Sequence, residues 1–416
     1  MAFVPRSDED SVTVEEHLAR VLAGVAPLPP YEQPLLEALG LPVCEPIESP
    51  MDLPAFDNSA MDGYAVVAAD VAGATEDDPV QLPVVGEVAA GQSRILAMSP
   101  GTAVKIMTGA PLPSGGDAIV PVEWTDGGAA SVRITQAPKE GQHVRRRGED
   151  LRAGDLLFAQ DTLLGPRQLA LLAAVGHAQV RSRPRPRVVV LSTGSELREP
   201  GTTRGEDAIY DANSYGIAAA VRRAGAIAYR VGIVPDDPAE FMDALSDQLV
   251  RADVVVTSGG VSRGEYDIVK DALSQLGTVW FGQVQMQPGK PQGFGHVGED
   301  RTPIFTLPGN PVSAYLSFEV FVLPALRQMM GRTPHRRPQN RARVTEGFRS
   351  PPGREQYVRA TYTYDERGPS VTPVGGHGSH LIGDLAVADA VIVVPAETEV
   401  VHAESQVRVL LLDREF

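Results

Sequence analysis

A single cysteine, Cys44, stands in the 416 residues, which excludes an internal disulfide and a cysteine-built zinc cage. No run approaches the roughly 18 consecutive apolar residues that a membrane helix requires. The leading MAFVPRSDEDSV has no apolar signal core. A cytoplasmic protein without membrane insertion is expected. Positive charge is scarce as well: 37 Lys and Arg against 53 Asp and Glu leave a formal charge of −16, which argues against nucleic acid as a partner. Lys105, Lys139, Lys270 and Lys290 are the only lysines. The eight histidines show no HExxH or other paired-ligand spacing, which counts against a zinc hydrolase. A Walker-type GxxxxGK loop, a GxGxxG fingerprint and a GxSxG elbow are also missing, so ordinary nucleoside-triphosphate hydrolysis, nicotinamide binding and serine-hydrolase chemistry are disfavoured.

What is present reads as several globular domains. The composition, 43% hydrophobic and 22% charged, is that of folded protein, and 416 residues exceed a single core. Gly 41 and Pro 35 imply many strand ends and turns. Residues 11–27 follow helical spacing behind Ser11 or Thr13 as N-cap, and residues 31–40 read as a second short helix closed by Gly40. From about 43 to 160, short β-type runs lie between Gly and Pro punctuation. A helix is expected over 166–175, with Pro166 at its first position and Gly176 at its stop. Beyond the Arg- and Pro-rich stretch at 181–187 the pattern changes. The run RVVVLS (187–192) has the continuous apolar character of a strand buried on both faces. Helix 213–224, strand 227–234, helix 237–251, strand 253–257, helix 266–276, strands 278–286 and 303–307, and helix 311–330 follow. This alternation predicts an α/β domain with a parallel sheet. Residues 342–416 return to alternating β patterns.

Ligands of such sheets bind beyond the carboxyl ends of the strands. Here those ends carry Ser192-Thr193-Gly194-Ser195-Glu196, Pro235-Asp236-Asp237, Ser258-Gly259-Gly260-Val261-Ser262, Pro288-Gly289-Lys290-Pro291 and Pro308-Gly309-Asn310-Pro311-Val312-Ser313. Small residues let backbone N–H groups approach a ligand, and helix N-termini favour anions. The hydroxyls of Ser192, Ser258, Ser262 and Ser313 add donors. The carboxylates Glu196, Asp236 and Asp267 beside an anion imply a bridging hard cation, Mg²⁺, and Lys270 and Lys290 can neutralise phosphate. Each piece also has a plainer reading: a turn with a helix cap at STGSE, an N-cap with proline following at Asp236-Asp237-Pro238, solvated surface acids, and an i, i+3 pair between Asp267 and Lys270. Composition and spacing together point to an anion-binding, Mg²⁺-assisted phosphotransfer or nucleotidyl site.

Seven strings occur in one order along nearly the whole chain: FDNSAMDGYA (56–65), IMTGAPLP (106–113), VRRRGED (144–150), STGSEL (192–197), SGGVSRGEYD (258–267), PGKPQGFG (288–295) and LPGNPVSA (307–314). In these the chain resembles the molybdopterin molybdenumtransferases, or molybdate insertases, a family that includes the gephyrin E domain and bacterial gephyrin-like proteins. The resemblance implies a multidomain α/β plus β protein whose central parallel-sheet domain is similar to molybdopterin adenylyltransferases. Its expected domains are a linking domain (9–50 with 142–183), a small β domain (51–141), the α/β domain (184–331) and a C-terminal β domain (334–416). It further implies an elongated homodimer in which the β domain of one subunit faces the crevice of the other. The reaction would consume molybdate and adenylylated molybdopterin and release AMP and molybdenum cofactor. Carried over motif by motif, Asp62, Thr108, Asp150, Asp267 and Lys290 would be catalytic. Arg145, Ser192, Thr193, Gly194, Ser258, Gly259, Gly260, Ser262, Pro308, Gly309, Asn310, Pro311 and Ser313 would bind the pterin substrate, and Glu196, Asp236 and Asp267 the metal. Without the resemblance, Asp62 reads as a hairpin turn, Thr108 as a strand hydroxyl and Arg145 as part of a surface basic run.

The chain departs from the family pattern at three positions. Gln283 and Gln287 stand before the PGKP turn where lysines are common, and Asp384 lies in a loop that usually carries a serine. Each lost charge-assisted bond would weaken anion binding by about 1–3 kcal/mol. The alternative function is a gephyrin-like scaffold dimer that binds a peptide of a membrane-receptor, cytoskeletal or cell-division protein.

Overall fold

The computed structural model describes residues 11–91, 97–260, 268–376 and 378–416. The described residues divide into two compact units: those within 45–180 with 34–39 form one, and those within 11–33, 40–44 and 181–416 the other.

In the first of these, five strands pair in the order Ala118–Pro121, Gly63–Val66, Ala103–Ile106, Val80–Val88, Ser131–Ile134. Tyr64, Val66, Val120, Val132 and Ile134 fill one of its cores. The strand starting at Gly63 runs so close to its neighbour that a Cβ there would fall 2.0 Å from the Val120 carbonyl oxygen. Only glycine fits. Pro166–Ala174 is helical, with Pro166 at the start as expected. The segment 31–40 differs from expectation: Tyr31–Pro34 is extended, and Ala38 N–H bonds back to Pro34 and Leu35 within a turn. Pro34 has no N–H for a helix, and buried Gln33 donates its amide to the Ser182 carbonyl and hydroxyl at 3.0 and 2.7 Å, contacts a helix would pull apart.

The larger unit opens with helix Val14–Gly24, capped by Thr13: its hydroxyl accepts from Glu16 N–H at 3.1 Å while Glu16 accepts from Thr13 N–H at 2.8 Å. The central sheet follows, with strands β1 (Arg187–Thr193), β2 (Ile227–Val234), β3 (Val254–Ser258), β4 (Val279–Gln283), β5 (Pro291–Val297) and β6 (Thr302–Leu307) in the order β2-β1-β3-β6-β5-β4. Neighbours among β2, β1, β3 and β6 are parallel. Helices α1 (Asn213–Arg223), α2 (Pro238–Leu249) and α3 (Ile268–Ser274) connect them. The period-two alternation of a strand divides its residues between two cores: Val188 and Val190 pack with Ile217 and Val221 on one face, and Val189 and Leu191 with Phe241 and Leu245 on the other.

Strand β5 is the addition that periodicity did not reveal. It runs antiparallel to both β6 and β4, and its glycines hide it from a hydrophobic reading. A Cβ at Gly293 would sit 1.9 Å from Thr306 Oγ1, and one at Gly295 2.3 Å from the Thr278 carbonyl oxygen. The expected strand 278–286 correspondingly stops at Gln283 and resumes at Met286–Gln287. The expected helix 311–330 is Pro311–Ser317, a π turn at Phe318–Val322, and Leu323–Met329. Pro324 lacks the N–H that an unbroken helix would need there.

Met286–Gln287 pairs with the first residues of Glu355–Asp365, the long strand of the C-terminal sheet. That sheet curls on itself, because Ala390–Val394, the last strand in its order, pairs back with Glu355–Asp365. A buried ion pair ties it to the preceding helix: Arg337 Nε donates to Glu319 at 3.0 Å, with side chains 8% and 5% exposed, and Arg337 Nη1 donates to the Leu411 carbonyl at 2.9 Å. Glu319→Ala leaves this guanidinium buried and uncompensated and should cost about 3–5 kcal/mol in urea unfolding. A loss below about 1 kcal/mol would show the pair to be dispensable.

Candidate functional site

The switch point of a parallel sheet lies where neighbouring strands send their chains to opposite sides. Here it falls between β1 and β3, and the chain tips converge there on a cleft of about 650 Å³. Thr193, Gly194 and Glu196 reach it from β1, Asp236 from β2, Gly259 and Gly260 from β3, and Pro308, Gly309, Asn310 and Ser313 from β6. Gln287, Pro288, Gly289, Lys290 and Pro291 line another wall, and Ser379, in a turn that follows strand Gly368–Pro373, reaches the same space.

The loops approach closely because they lack side chains. Gly259 and Gly260 have φ of +98° and +68°, and a Cβ at Gly260 would collide with Val269 Cγ2 at 2.7 Å. Gly259 N–H donates to the Leu307 carbonyl at 3.1 Å, which locks the β3 tip against β6. Gly289 has φ +97°, and Gln292, buried behind it, donates to the Gly289 carbonyl at 2.7 Å and to Ser317 Oγ at 2.6 Å. That brace holds the turn carrying Lys290.

Asp236 accepts from Ser195 N–H at 2.8 Å, joining the β1 and β2 tips. Glu196 folds back over Gly194, so that a Cβ there would stand 2.7 Å from Glu196 Oε2. Two carboxylates thus line a cleft that also presents a lysine. Oxygen ligands of this kind suit Mg²⁺ shared with a phosphate ligand. Among the described residues no group of three or more His, Cys, Asp or Glu side chains is gathered for a metal.

Several expected site residues stand elsewhere. Ser192 and Ser258 are buried beneath the cleft: Ser192 Oγ donates to Asp211 at 3.1 Å and lies 3.4 Å from Ser258 Oγ. They brace the floor instead of facing a ligand. Pro311 occupies the first helical position behind Asn310. Ser262 and Asp267 lie outside the described residues. Asp62, Thr108, Arg145 and Asp150 belong to the other compact unit. There Thr108 donates to Asp62 through its N–H at 2.7 Å and its hydroxyl at 2.8 Å. Arg145 pairs across strands with Asn58, and Asp150 N–H donates to the Leu53 carbonyl at 3.0 Å.

The three departures also resolve. Gln287 lines the cleft, and Arg354 donates to its Oε1 at 3.4 Å. Gln283 ends β4 and is not in the lining. Asp384, which stands in the loop that usually carries a serine, is not in the lining: it faces Arg359 at 3.7 Å and packs so closely on Gly375 that a Cβ there would be 1.8 Å from Asp384 Oδ2. Arg359 also donates to the Gly378 carbonyl at 3.1 Å and so holds the loop that delivers Ser379. Residue types alone did not single out Gln292, Asp211 or Asn213; for the last two, the available signal was an Asp and an Asn at the start of a helix.

Three family models match this chain: the MoeA N-terminal region (domain I and II) over residues 12–176, a probable molybdopterin binding domain over 189–328, and the MoeA C-terminal region (domain IV) over 341–412. It is 45% identical to molybdopterin molybdenumtransferase 2 of Mycobacterium tuberculosis over 403 residues, covering 95% of this chain and 98% of that one. It is 36% identical to the molybdopterin molybdenumtransferase of Haemophilus influenzae over 378 residues, covering 90% and 92%. A solved structure, the molybdopterin biosynthesis moeA protein of Pyrococcus horikoshii, superposes with a TM-score of 0.79 at 31% identity, covering 98% of this chain and 100% of that one.

The Asp62–Thr108 contact gives a titration test. The Thr108 N–H, and after it the Thr108 hydroxyl, hold the Asp62 carboxyl below its ordinary value. The folded state therefore gains from this group above the ordinary aspartate range, and that gain is lost as pH falls through the lowered pKa. Thr108→Val removes only the hydroxyl, so the Asp62 carboxyl should titrate higher by NMR, part of the way back to an ordinary aspartate. An unmoved titration would show that the hydroxyl contributes nothing.

Proposed function

The chain belongs to the molybdopterin molybdenumtransferase family, and from that premise we propose that it acts in molybdenum cofactor biosynthesis by inserting molybdate into adenylylated molybdopterin, with release of AMP. The observation that carries this reading is the meeting of glycine-rich strand tips, two carboxylates and Lys290 in one cleft. A diphosphate is a dianion or trianion with many acceptor oxygens, and backbone N–H groups on glycine loops can reach it where side chains cannot.

In this reading the N–H groups of Gly260, Gly309 and Asn310 cradle the diphosphate, Gly259, whose own N–H is taken by Leu307, gives it room to approach, and Pro308 and Pro311 hold the β6 loop in one conformation. Lys290 neutralises an anionic oxygen as a point charge. Thr193, 6% exposed, has a hydroxyl without a partner among the described residues and donates to the same substrate. Glu196 and Asp236, with Asp267, would hold Mg²⁺, which when bound neutralises the diphosphate and the leaving AMP. Ser313 and Ser379 lie where hydroxyl donors can orient an oxyanion. Asp62, Thr108, Arg145 and Asp150 serve the same reaction in a homodimer whose subunits share the site. The scaffold alternative is not favoured, since relatives matching over nearly the full length are named as transferases. No helix among the described residues is long and apolar enough to cross a membrane, and the proposed place of action is the cytoplasm.

The test is release of AMP from adenylylated molybdopterin by the purified protein with Mg²⁺ and molybdate, followed by chromatography. Wild-type protein should turn over. Glu196→Gln and Asp236→Asn should each lower kcat by about 100-fold or more with an unchanged circular dichroism spectrum. No AMP from wild-type protein, or full turnover in both variants, would overturn the assignment.

A further inference from the structure

The triplet Asp211-Ala212-Asn213 ties the β1 side of the cleft to the β6 loop. Asp211 is buried, and its carboxylate accepts from Ser192 Oγ at 3.1 Å, Ser214 N–H at 3.1 Å and Ser214 Oγ at 2.5 Å. Its own N–H donates to the Arg198 carbonyl at 2.9 Å, two residues beyond Glu196. The chain is therefore anchored on the β1 side of the cleft. From this anchored point Asn213 reaches across the sheet and donates its side-chain amide to the Gly309 carbonyl at 2.6 Å. A carbonyl can only accept, so the nitrogen end of the amide faces it.

That bond controls more than the loop's position. Cis peptide bonds occur before Pro54, Pro288 and Pro334; the Gly309–Asn310 bond is trans. In a trans peptide the carbonyl oxygen and the following N–H lie in one plane and point in opposite directions. Holding the Gly309 oxygen toward Asn213 thus turns the Asn310 N–H to the other side. Among the described residues no acceptor takes that N–H, and Asn310 lines the cleft. Gly309 has little steric restraint of its own, for a Cβ there would meet only the Gly259 Cα at 3.6 Å. A glycine peptide so loosely confined can rotate unless something holds it.

We propose that Asn213 is a positioning residue of this cleft: its hold on the Gly309 carbonyl aims the Asn310 N–H at a phosphate oxygen of the bound diphosphate. The inference rests on the function proposed above, which it refines. Asn213→Asp keeps the size and replaces the donor with an anion that repels the Gly309 carbonyl. Asn213→Ala removes the donor alone. Asn213 is half-buried at the start of α1, so both variants should fold.

Inorganic pyrophosphate with Mg²⁺, titrated by calorimetry, probes the contact without turnover. Wild-type protein should bind it, Asn213→Ala several-fold more weakly and Asn213→Asp about tenfold or more weakly, as expected for one donor to an anion. Thermal midpoints should stay within about 2 °C of wild type. With adenylylated molybdopterin, KM should rise by the same factors and kcat stay within about twofold, the split expected for a binding contact kept through the transition state. Equal pyrophosphate affinity in wild type and Asn213→Asp would overturn the proposal, as would a fall in kcat and thermal midpoint together without a change in affinity. Weakened pyrophosphate binding in the variants, combined with no AMP release by wild type, would sustain the role of Asn213 and overturn the assigned reaction.

Discussion

The cleft exists because backbones approach where side chains would keep them apart. At the tip of β3 a Cβ on Gly259 would stand 2.9 Å from the Thr193 carbonyl oxygen and one on Gly260 2.7 Å from Val269 Cγ2, and the loop turns through positive φ at both residues. The close approach leaves N–H groups as the groups presented to a ligand. It also makes the site depend on whatever orients each peptide plane. Gln292 behind Gly289, Asp211 beneath Ser192 and Asn213 against Gly309 provide that orientation from outside the cleft.

Charge is distributed in keeping with this. The chain carries an excess of acid and four lysines, of which Lys290 lines the cleft. Several arginines serve as braces. Arg359 holds the loop carrying Ser379 through the carbonyls of Gly376 and Gly378. Arg230 grips Glu199 through two bonds of 2.8 Å and stacks on Tyr215, which steadies the segment between Glu196 and Ile209. Arg327 is buried deeply enough to be pulled down to about 10, first by desolvation and then by Arg332 and Arg337 nearby. Its planar fork is held by the Pro334 carbonyl at 2.7 Å. A guanidinium tolerates such burial because its charge is spread and its donors are fixed in one plane. Among the described residues, oriented dipoles and Lys290 are what the cleft offers an anion.

Legibility differed between elements for physical reasons. Buried strands β1 and β3 were plain because both faces are apolar, and α1 and α2 because their buried positions repeat at helical spacing. Strand β5 was hidden because its packing against β4 and β6 demands glycine at two positions, which removes the hydrophobic signal that marks a strand. The segment at 31–40 misled because its apolar spacing looks helical, while Leu36 is 82% exposed and Gln33 is buried. Glu196, Asp236, Lys290 and Asn310 could be named from strand-end position alone. Ser192 and Ser258 could be named too, but their hydroxyls point into the floor. Side-chain direction at a strand tip depends on the twist and on the neighbours, neither of which is written in the local residue pattern.

Sequence by itself determined the kind of chemistry and the elements that carry it: small residues, prolines and acids at the ends of apolar strands, in an order matching one family along almost the full chain. Tertiary structure decided which of those residues line one cleft. Strand order places β1 beside β3 and β3 beside β6, so segments separated by scores of residues become neighbours, and only then does Asn213 meet Gly309. Hydrogen bonds act over about 3 Å, and no spacing along a chain fixes which distant groups will come that close.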